Sequence, residues 1–321
     1  MKAIRVHQNG GPEQLRYEDI PDPVAGPGQV VVKLEASGVN FIDTYQRSGL
    51  YKLPLPVTLG QEGAGVVESV APDVKGFAPG DRVGAYALGC YAEKAALPAG
   101  SVIKLPDNID FKAAAASILQ GMTAHYLLFS VYKVGPGSTC LIHAAAGGVG
   151  LILVQWAKAL GATVIGTTSS VEKAAKATSA GADHMILYTE QDFEAETRKI
   201  APKGVDVVYD AVGATTFLKS LNTLRPRGTM CTFGNASGPA PAIEPLLLSQ
   251  KGSLILTRPK LGDFLLTPDE LAWRSNDVFS AVASGKLNLH VDKEYKLSDA
   301  AQAHRDLESR KTSGKLILLP Q

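Results

Sequence analysis

Residues 138–166, STCLIHAAAGGVGLILVQWAKALGATVIG, constrain the fold of this chain more than any other stretch. Thr139 to His143 make an apolar run short enough for a buried strand, and AAAGGVG (144–150) follows as a loop of small residues. Leu151, Ile152, Trp156, Ala159 and Leu160 then recur at helical spacing, and Gly161 is placed to end that helix. Residues 163–166 read as the next parallel strand. Strand, glycine loop, helix and strand form the βαβ unit that holds a dinucleotide's pyrophosphate. A helix N-terminus presents unpaired N–H groups and a partial positive charge, and glycine lets phosphate approach the backbone. The usual G-x-G-x-x-G would occupy positions 145, 147 and 150, and here the first is Ala145. Such glycines also serve ordinary tight turns, but their setting between a strand and an amphipathic helix favours a cofactor. His143, the loop glycines, Gln155 and Lys158 oppose reading 140–160 as a membrane span.

The rest of the chain divides by pattern. Up to about residue 105 it is β-rich, with short apolar or alternating runs at 3–6, 30–36, 65–70 and 82–85 separated by Gly, Pro and Asp turn clusters. A small antiparallel barrel or sandwich is expected there. Composition shifts near Phe111, where the alanine run 113–116 and then residues 122–131 suggest two helices. Beyond Gly166, helices at 171–180, 192–200 and 215–224 alternate with strands at 184–188, 205–209, 228–233 and 253–256. That alternation predicts an α/β fold with a mostly parallel, doubly wound sheet. The tail carries helical patterns near 268–284 and 298–309, the second with Ser298 as N-cap, and ends in a strand at 315–319. The expected organisation is a β-rich domain over 1–120 completed by 261–321, with the parallel sheet in 121–260. A length of 321 residues is ample for two cores.

Lys plus Arg total 32 against 31 Asp plus Glu, a net charge of +1, with no like-charge block. Nucleic acid and anionic membrane are therefore poor candidate partners. The N-terminus MKAIRVHQNG has no apolar stretch of a secretory signal, and Cys90, Cys140 and Cys231 are isolated. Both features lead us to expect a reducing, cytoplasmic compartment. The six histidines are scattered and no cysteines lie close together, so no structural zinc is expected.

Seven motifs together resemble the medium-chain dehydrogenase/reductase superfamily, and within it the zinc-free quinone oxidoreductase branch. They are GVNFIDTYQRSGLY (38–51), GQEGAGVV (60–67), GDRV (80–83), LQGMTAHYLL (119–128), HAAAGGVG (143–150), VVYDAVG (207–213) and FGNASG (233–238). The resemblance implies a GroES-like catalytic domain, a Rossmann cofactor domain and a homodimer. The zinc alcohol dehydrogenases of the superfamily have G-H-E-G-A-G where this chain has Gln61, a catalytic cysteine near Asn40, and four clustered structural cysteines without counterpart here. No metal site is implied. Without a Lewis acid for an alkoxide, alcohol oxidation loses its main catalytic element. A quinone or activated alkene takes hydride directly from a nicotinamide, and needs mainly positioning and mild hydrogen bonding.

In the best-matching motif Asn40, Tyr45 and Tyr51 are candidate hydrogen-bond donors to the acceptor, with Thr123 near the nicotinamide by resemblance. Asn40 also fits a turn cap after Gly38, and the tyrosines also fit half-buried packing positions. By the same resemblance Asn40, Phe41, Ile42, Asp43 and Thr44, then Thr123, Tyr126, Gly147, Gly148 and Val149, then Gly213, Phe233, Gly234, Asn235 and Ser237 line the cofactor groove. Asp43 fits a structural role as well as a cofactor contact.

An NAD enzyme usually holds the adenosine ribose with an acid at the end of the second strand. Here residues 163–170 read TVIGTTSS, without an acid, and the hydroxyls of Ser169 and Ser170 leave room for a 2′-phosphate. Lys173, Tyr188 and Arg310 match positions that bind this phosphate in the branch, although Lys173 alone also fits a solvated helix face. NADPH is the expected cofactor and quinone reduction the expected activity. Alkenal or enone reduction is the alternative within the superfamily. A low-turnover nucleotide- or RNA-binding role, crystallin-like, is the alternative outside enzymes. The last strand of the sheet, 253–256 continuing to Pro259, is apolar and would leave an open edge, so we expect it at the dimer interface.

Overall fold

The computed structural model describes residues 1–320, which form two compact units. The first comprises Met1–Met122, Thr267–Ser284 and residues 289–320, and the second Thr123–Leu266 with Gly285–Asn288.

The first unit is built around the strand Gln29–Val39. Val30, Val31, Val32, Leu34, Ala36 and Val39 are all withdrawn from water, so the strand is covered on both faces rather than on one. It pairs antiparallel with Glu62–Val70, Lys94–Pro98 and Lys315–Leu319. The seven-stranded sheet runs in the order Val291–Lys296, Lys315–Leu319, Gln29–Val39, Glu62–Val70, Arg82–Tyr86, Val102–Lys104, with Lys94–Pro98 off this path. A separate three-stranded sheet places Lys2–Val6 between Arg16–Asp19 and Val57–Thr58. The tail thus supplies the strand that lies directly beside Gln29–Val39. The helix Phe41–Ser48 follows Gln29–Val39 at once. Asn40 is extended between them (φ −134°, ψ 156°), and Gly49 ends the helix in the left-handed region (φ 84°), as a C′ residue does.

The second unit is a six-stranded parallel sheet in the order His184–Leu187, Thr163–Thr168, Thr139–Ile142, Val205–Asp210, Leu224–Thr232, Ile255–Thr257. In chain order these are the third, second, first, fourth, fifth and sixth strands of the unit. The winding reverses at Thr139–Ile142, and in such sheets ligands bind beyond the carboxyl ends of the strands at that point. The α/β alternation read from the sequence produces this doubly wound arrangement. Its core packs Leu141, Ile165, Val208 and Met230 from the strands against Phe193, Phe217 and Leu221 from the helices.

Two local expectations are corrected. The regions 113–116 and 122–131 are not separate helices: Phe111–Tyr126 is one helix, extended by a π-helical turn Leu127–Val131. Gly121 does not interrupt it, because the missing side chain makes room for another helix; a Cβ there would lie 2.7 Å from Val278 Cγ1. Ser298 is not an N-cap, since Leu297–Asp299 form a 3-10 turn and the helix Ala300–Glu308 begins after Asp299. Among the described residues no helix is long and apolar enough to cross a membrane.

Candidate active site

The glycine loop leaves the strand Thr139–Ile142 through His143. This histidine is buried and bridges three elements: Nδ1 meets Thr167 Oγ1 (2.9 Å), Nε2 meets Ser220 Oγ (2.8 Å), and its N–H donates to Tyr209 O (3.0 Å). The Ser220 hydroxyl donates to Thr216 O, so it accepts from His143 Nε2–H, and Nδ1 accepts from Thr167. Burial holds the imidazole below its usual range, in the neutral form this pattern requires. Ala144 then adopts φ 52°, and Gly147 is the extended N-cap of the helix Gly148–Ala159, whose first turn contains Gly148 and Val149. Gly150 lets this helix sit against the loop, since a Cβ there would meet Ala144 O at 2.2 Å. Ala145, at the position usually held by the first glycine, fits because Gly166 faces it; a Cβ on Gly166 would lie 2.8 Å from that of Ala145. The Ala145 N–H donates to Thr167 O (3.1 Å), tying the loop to the neighbouring strand.

At the carboxyl end of that strand, Ser170 caps the helix Val171–Ser179 and accepts from Lys173 N (3.4 Å). Lys173 stands in the first turn of the helix and Ser169 is half-buried beside the cap. Tyr188 is brought alongside by its N–H bond to Thr168 O (3.1 Å) and stays 42% exposed. The sequence motif did not show one further neighbour. Glu172 forms a side-chain hydrogen bond with Ser170, which holds its carboxyl below the usual range. An acid therefore does touch this group, from the helix rather than from the strand. Arg310 lies in the first unit, past the helix Ala300–Glu308, in the left-handed region (φ 57°).

The loops after the next two strands are stitched together by Asp210. Its buried carboxylate accepts from Val212 N (2.7 Å), Gly213 N (3.1 Å) and the Thr216 hydroxyl (2.8 Å), and its carbonyl accepts from Phe233 N (2.8 Å). Gly213 has φ 90°, and a Cβ on Gly234 would meet Ala211 O at 2.4 Å, so both glycines permit close backbone approach. The Ser237 hydroxyl donates to Val212 O (2.8 Å), and Asn235 is half-buried between Gly234 and Ser237. Thr123 is buried on its helix, and the ring of Tyr126 stacks on Phe264 (4.4 Å between centroids, 7° between planes).

In the first unit, the helix Phe41–Ser48 collects the other candidates. Phe41 and Ile42 are half-buried, and Thr44 donates to Phe41 O (2.8 Å). Tyr45 and the 36% exposed Tyr51 meet edge to face (5.3 Å, 67°). Asn40, by contrast, faces inward. Its amide nitrogen donates to Glu62 Oε1 (2.6 Å) and more weakly to Gly38 O (3.4 Å), and its oxygen accepts from Lys315 Nζ (2.8 Å) and Gln120 Nε2 (3.4 Å). Lys315 also binds Glu62 Oε1. Asp43 is wholly buried. Its Oδ2 accepts from Asn40 N (2.8 Å) and Tyr91 Oη (2.8 Å), and its Oδ1 from Gln61 N (3.1 Å). Burial pushes this carboxyl up to about 7 against those bonds. Behind it runs a directed chain: Arg47 donates to His304 Nδ1 (3.0 Å), which leaves His304 Nε2–H for Tyr91 Oη (3.3 Å), whose proton points to Asp43. Gln61 Oε1 accepts from Gln46 Nε2 (3.0 Å). With amides at 40 and 61, and no cluster of three His, Cys, Asp or Glu among the described residues, these side chains do not fit a zinc ion.

Two family models match the chain: an alcohol dehydrogenase GroES-like domain over residues 26–107 and a zinc-binding dehydrogenase over residues 148–267. A quinone oxidoreductase of Pseudomonas aeruginosa is 46% identical, with 99% of each chain covered. A 2-haloacrylate reductase of Burkholderia is 45% identical over 99% of each chain. The solved structure of an Escherichia coli quinone oxidoreductase complexed with NADPH superposes with a TM-score of 0.98 at 45% identity, covering 100% of both chains. With the glycine loop, the reversed sheet and the amides at 40 and 61, these likenesses place the chain in the quinone oxidoreductase branch of the medium-chain dehydrogenase/reductase superfamily.

Proposed function

We propose that the protein is an NADPH-dependent reductase of quinones. The observation that carries this reading is the end of the strand Thr163–Thr168. Hydroxyls from Thr168, Ser169 and Ser170, with Lys173 in the next turn, stand where an NAD-binding sheet usually presents an acid. The groups fit the cofactor: the open N-terminus of the helix Gly148–Ala159 suits the pyrophosphate, and Lys173 with Tyr188 suits the 2′-phosphate, for which Arg310 is a candidate by the resemblance alone. Phe41–Thr44, Thr123, Tyr126 and the loops at Gly213 and Phe233–Ser237 would hold the remainder. Bound NADPH supplies the hydride. The protein's part is to orient cofactor and acceptor and to offer hydrogen bonds, for which Tyr45 and Tyr51 are the candidates. The inward-facing amide of Asn40 suits it to placing the helix rather than to donating to a substrate.

On this reading residues 1–120 with 261–321 form the catalytic domain and 121–260 the cofactor domain. The protein would act in the reducing cytoplasm, consistent with three free, buried cysteines. It would act as a homodimer joined through the open edge at Ile255–Thr257, where Ile255 is 56% exposed. The test is NADPH oxidation with 1,4-benzoquinone, 9,10-phenanthrenequinone, a simple enone and a 2-haloacrylate in parallel. The haloacrylate reductase among the relatives gives alkene reduction its standing as the second reading. Turnover of the alkenes with no turnover of either quinone would replace the first reading by the second.

A further inference from the structure

Glu62 and Lys315 are 0% and 2% exposed as side chains, and they form an ion pair in the interior of the first unit. Four segments converge on it. Glu62 opens the strand Glu62–Val70, and Lys315 opens the tail strand Lys315–Leu319. Leu119 N, on the helix Phe111–Tyr126, donates to Glu62 Oε2 (2.7 Å), and the Asn40 side chain donates to Glu62 Oε1 and accepts from Lys315 Nζ. The backbone is cut to admit it: a Cβ on Gly38 would lie 2.3 Å from Glu62 Oε1 and 2.6 Å from Lys315 Nζ. A buried ion pair of this kind seldom stabilises a fold more than apolar residues of the same volume would. What this pair does accomplish is geometric. It fixes both ends of the Asn40 amide, and Asn40 is the residue from which the helix Phe41–Ser48 starts.

We propose that Glu62 and Lys315 are positioning residues for the reduction step, acting through Asn40 on the first turn of that helix and on Tyr45. The proposal rests on the reductase reading above. The pair acts only through that helix, so its loss lowers kcat and raises the KM of the acceptor more than it raises the Kd of NADPH, to which Phe41–Thr44 supply only part of the contact.

Lys315→Met alone leaves Glu62 buried without its counter-charge and is expected to unfold at lower temperature. The informative protein is therefore Glu62→Gln/Lys315→Met, in which no charge is stranded. We expect it to fold, to bind NADPH within a few-fold of the wild type, and to lose kcat roughly ten- to a hundredfold, the scale of a misplaced site. Adding Asn40→Ala to this background should cost less than it does in the wild type, because residues acting as one unit are not additive. Amide hydrogen exchange over residues 40–46 should be faster in the double variant. Wild-type kcat and KM in the double variant, or a full multiplicative loss on adding Asn40→Ala, would overturn the proposal. If the wild type reduces no acceptor, the reductase reading fails instead. The exchange measurement then still decides whether the pair holds the helix start: unchanged exchange would refute that as well.

Discussion

The methyl group of Ala145 occupies the space left by the absent side chain of Gly166: a Cβ on Gly166 would approach it to 2.8 Å and Met185 Sδ to 2.7 Å. The exchange explains how a loop with alanine at the first fingerprint position keeps the close packing of strand, loop and helix. Gly166→Ala should destabilise the protein by about 1–3 kcal/mol, the range for overpacking a core. Ala145→Gly in the same chain should recover part of that loss. Urea unfolding of the two single variants and the pair measures it, and additive effects would show that the two positions do not share the space.

Asp43 makes stability depend on pH in an unusual direction for a carboxylate. Burial raises it from 3.8 to about 7 in the folded chain, so between those values the folded state holds a proton that the unfolded state has released. Its contribution is complete below about pH 4 and is lost as pH rises through about 7, with a slope of at most ~1.4 kcal/mol per pH unit. Asp43→Asn should abolish this slope while sacrificing one hydrogen bond, about 1 kcal/mol, because an amide nitrogen at the Oδ1 position cannot accept from Gln61 N, while the oxygen keeps the bonds from Asn40 N and Tyr91. Unfolding free energies of both proteins between pH 4 and 8 check the sign. A wild type that gains stability relative to the variant on moving to high pH contradicts it.

Ser170 is shared between Lys173 N and the carboxylate of Glu172. For a 2′-phosphate Glu172 is a repulsive neighbour. Glu172→Gln should tighten NADPH a few-fold at low salt and leave NADH unchanged, with the gain shrinking as salt screens the exposed charge. Titration of both cofactors at two ionic strengths measures this, and an equal gain for NADH would remove Glu172 from the phosphate site.

Ile255 stands exposed on the outermost strand of the parallel sheet. Ile255→Glu should convert the proposed dimer to monomer in light scattering without lowering helix and strand content. A wild type that is already monomeric at micromolar concentration would rule out this assembly.

The parallel sheet was legible in the sequence because its signals are local. Apolar runs, glycine stops and helical spacing all fall within one strand–loop–helix unit. The region around Phe111–Tyr126 was less legible: the patterns at 113–116 and 122–131 suggested two helices, where the chain forms one helix with a π-helical turn, and Gly121 within it packs against Val278. Of the interior charges only Asp43 was legible, through its motif. Glu62, Arg47 and Lys315 look like surface residues in sequence, since charge ordinarily marks exposure. Their partners lie in distant segments, Glu62 with Lys315 and Arg47 with Glu308, so no spacing rule could have paired them. Asn40 shows the same limit: its motif singled it out, but only the bonds to Glu62, Lys315 and Gln120 reveal that its amide turns inward.

The hydroxyl-lined end of the strand Thr163–Thr168, with Lys173, is proposed to select the 2′-phosphate. The most direct measurement is the Kd of NADPH and of NADH for the wild type and for Lys173→Ala. A charge-assisted contact to phosphate contributes about 1.5–3 kcal/mol, so NADPH should weaken by roughly ten- to a hundredfold in the variant. NADH, which lacks that phosphate, should bind both proteins alike. Equal losses for the two cofactors, or a wild type that prefers NADH, would contradict the account.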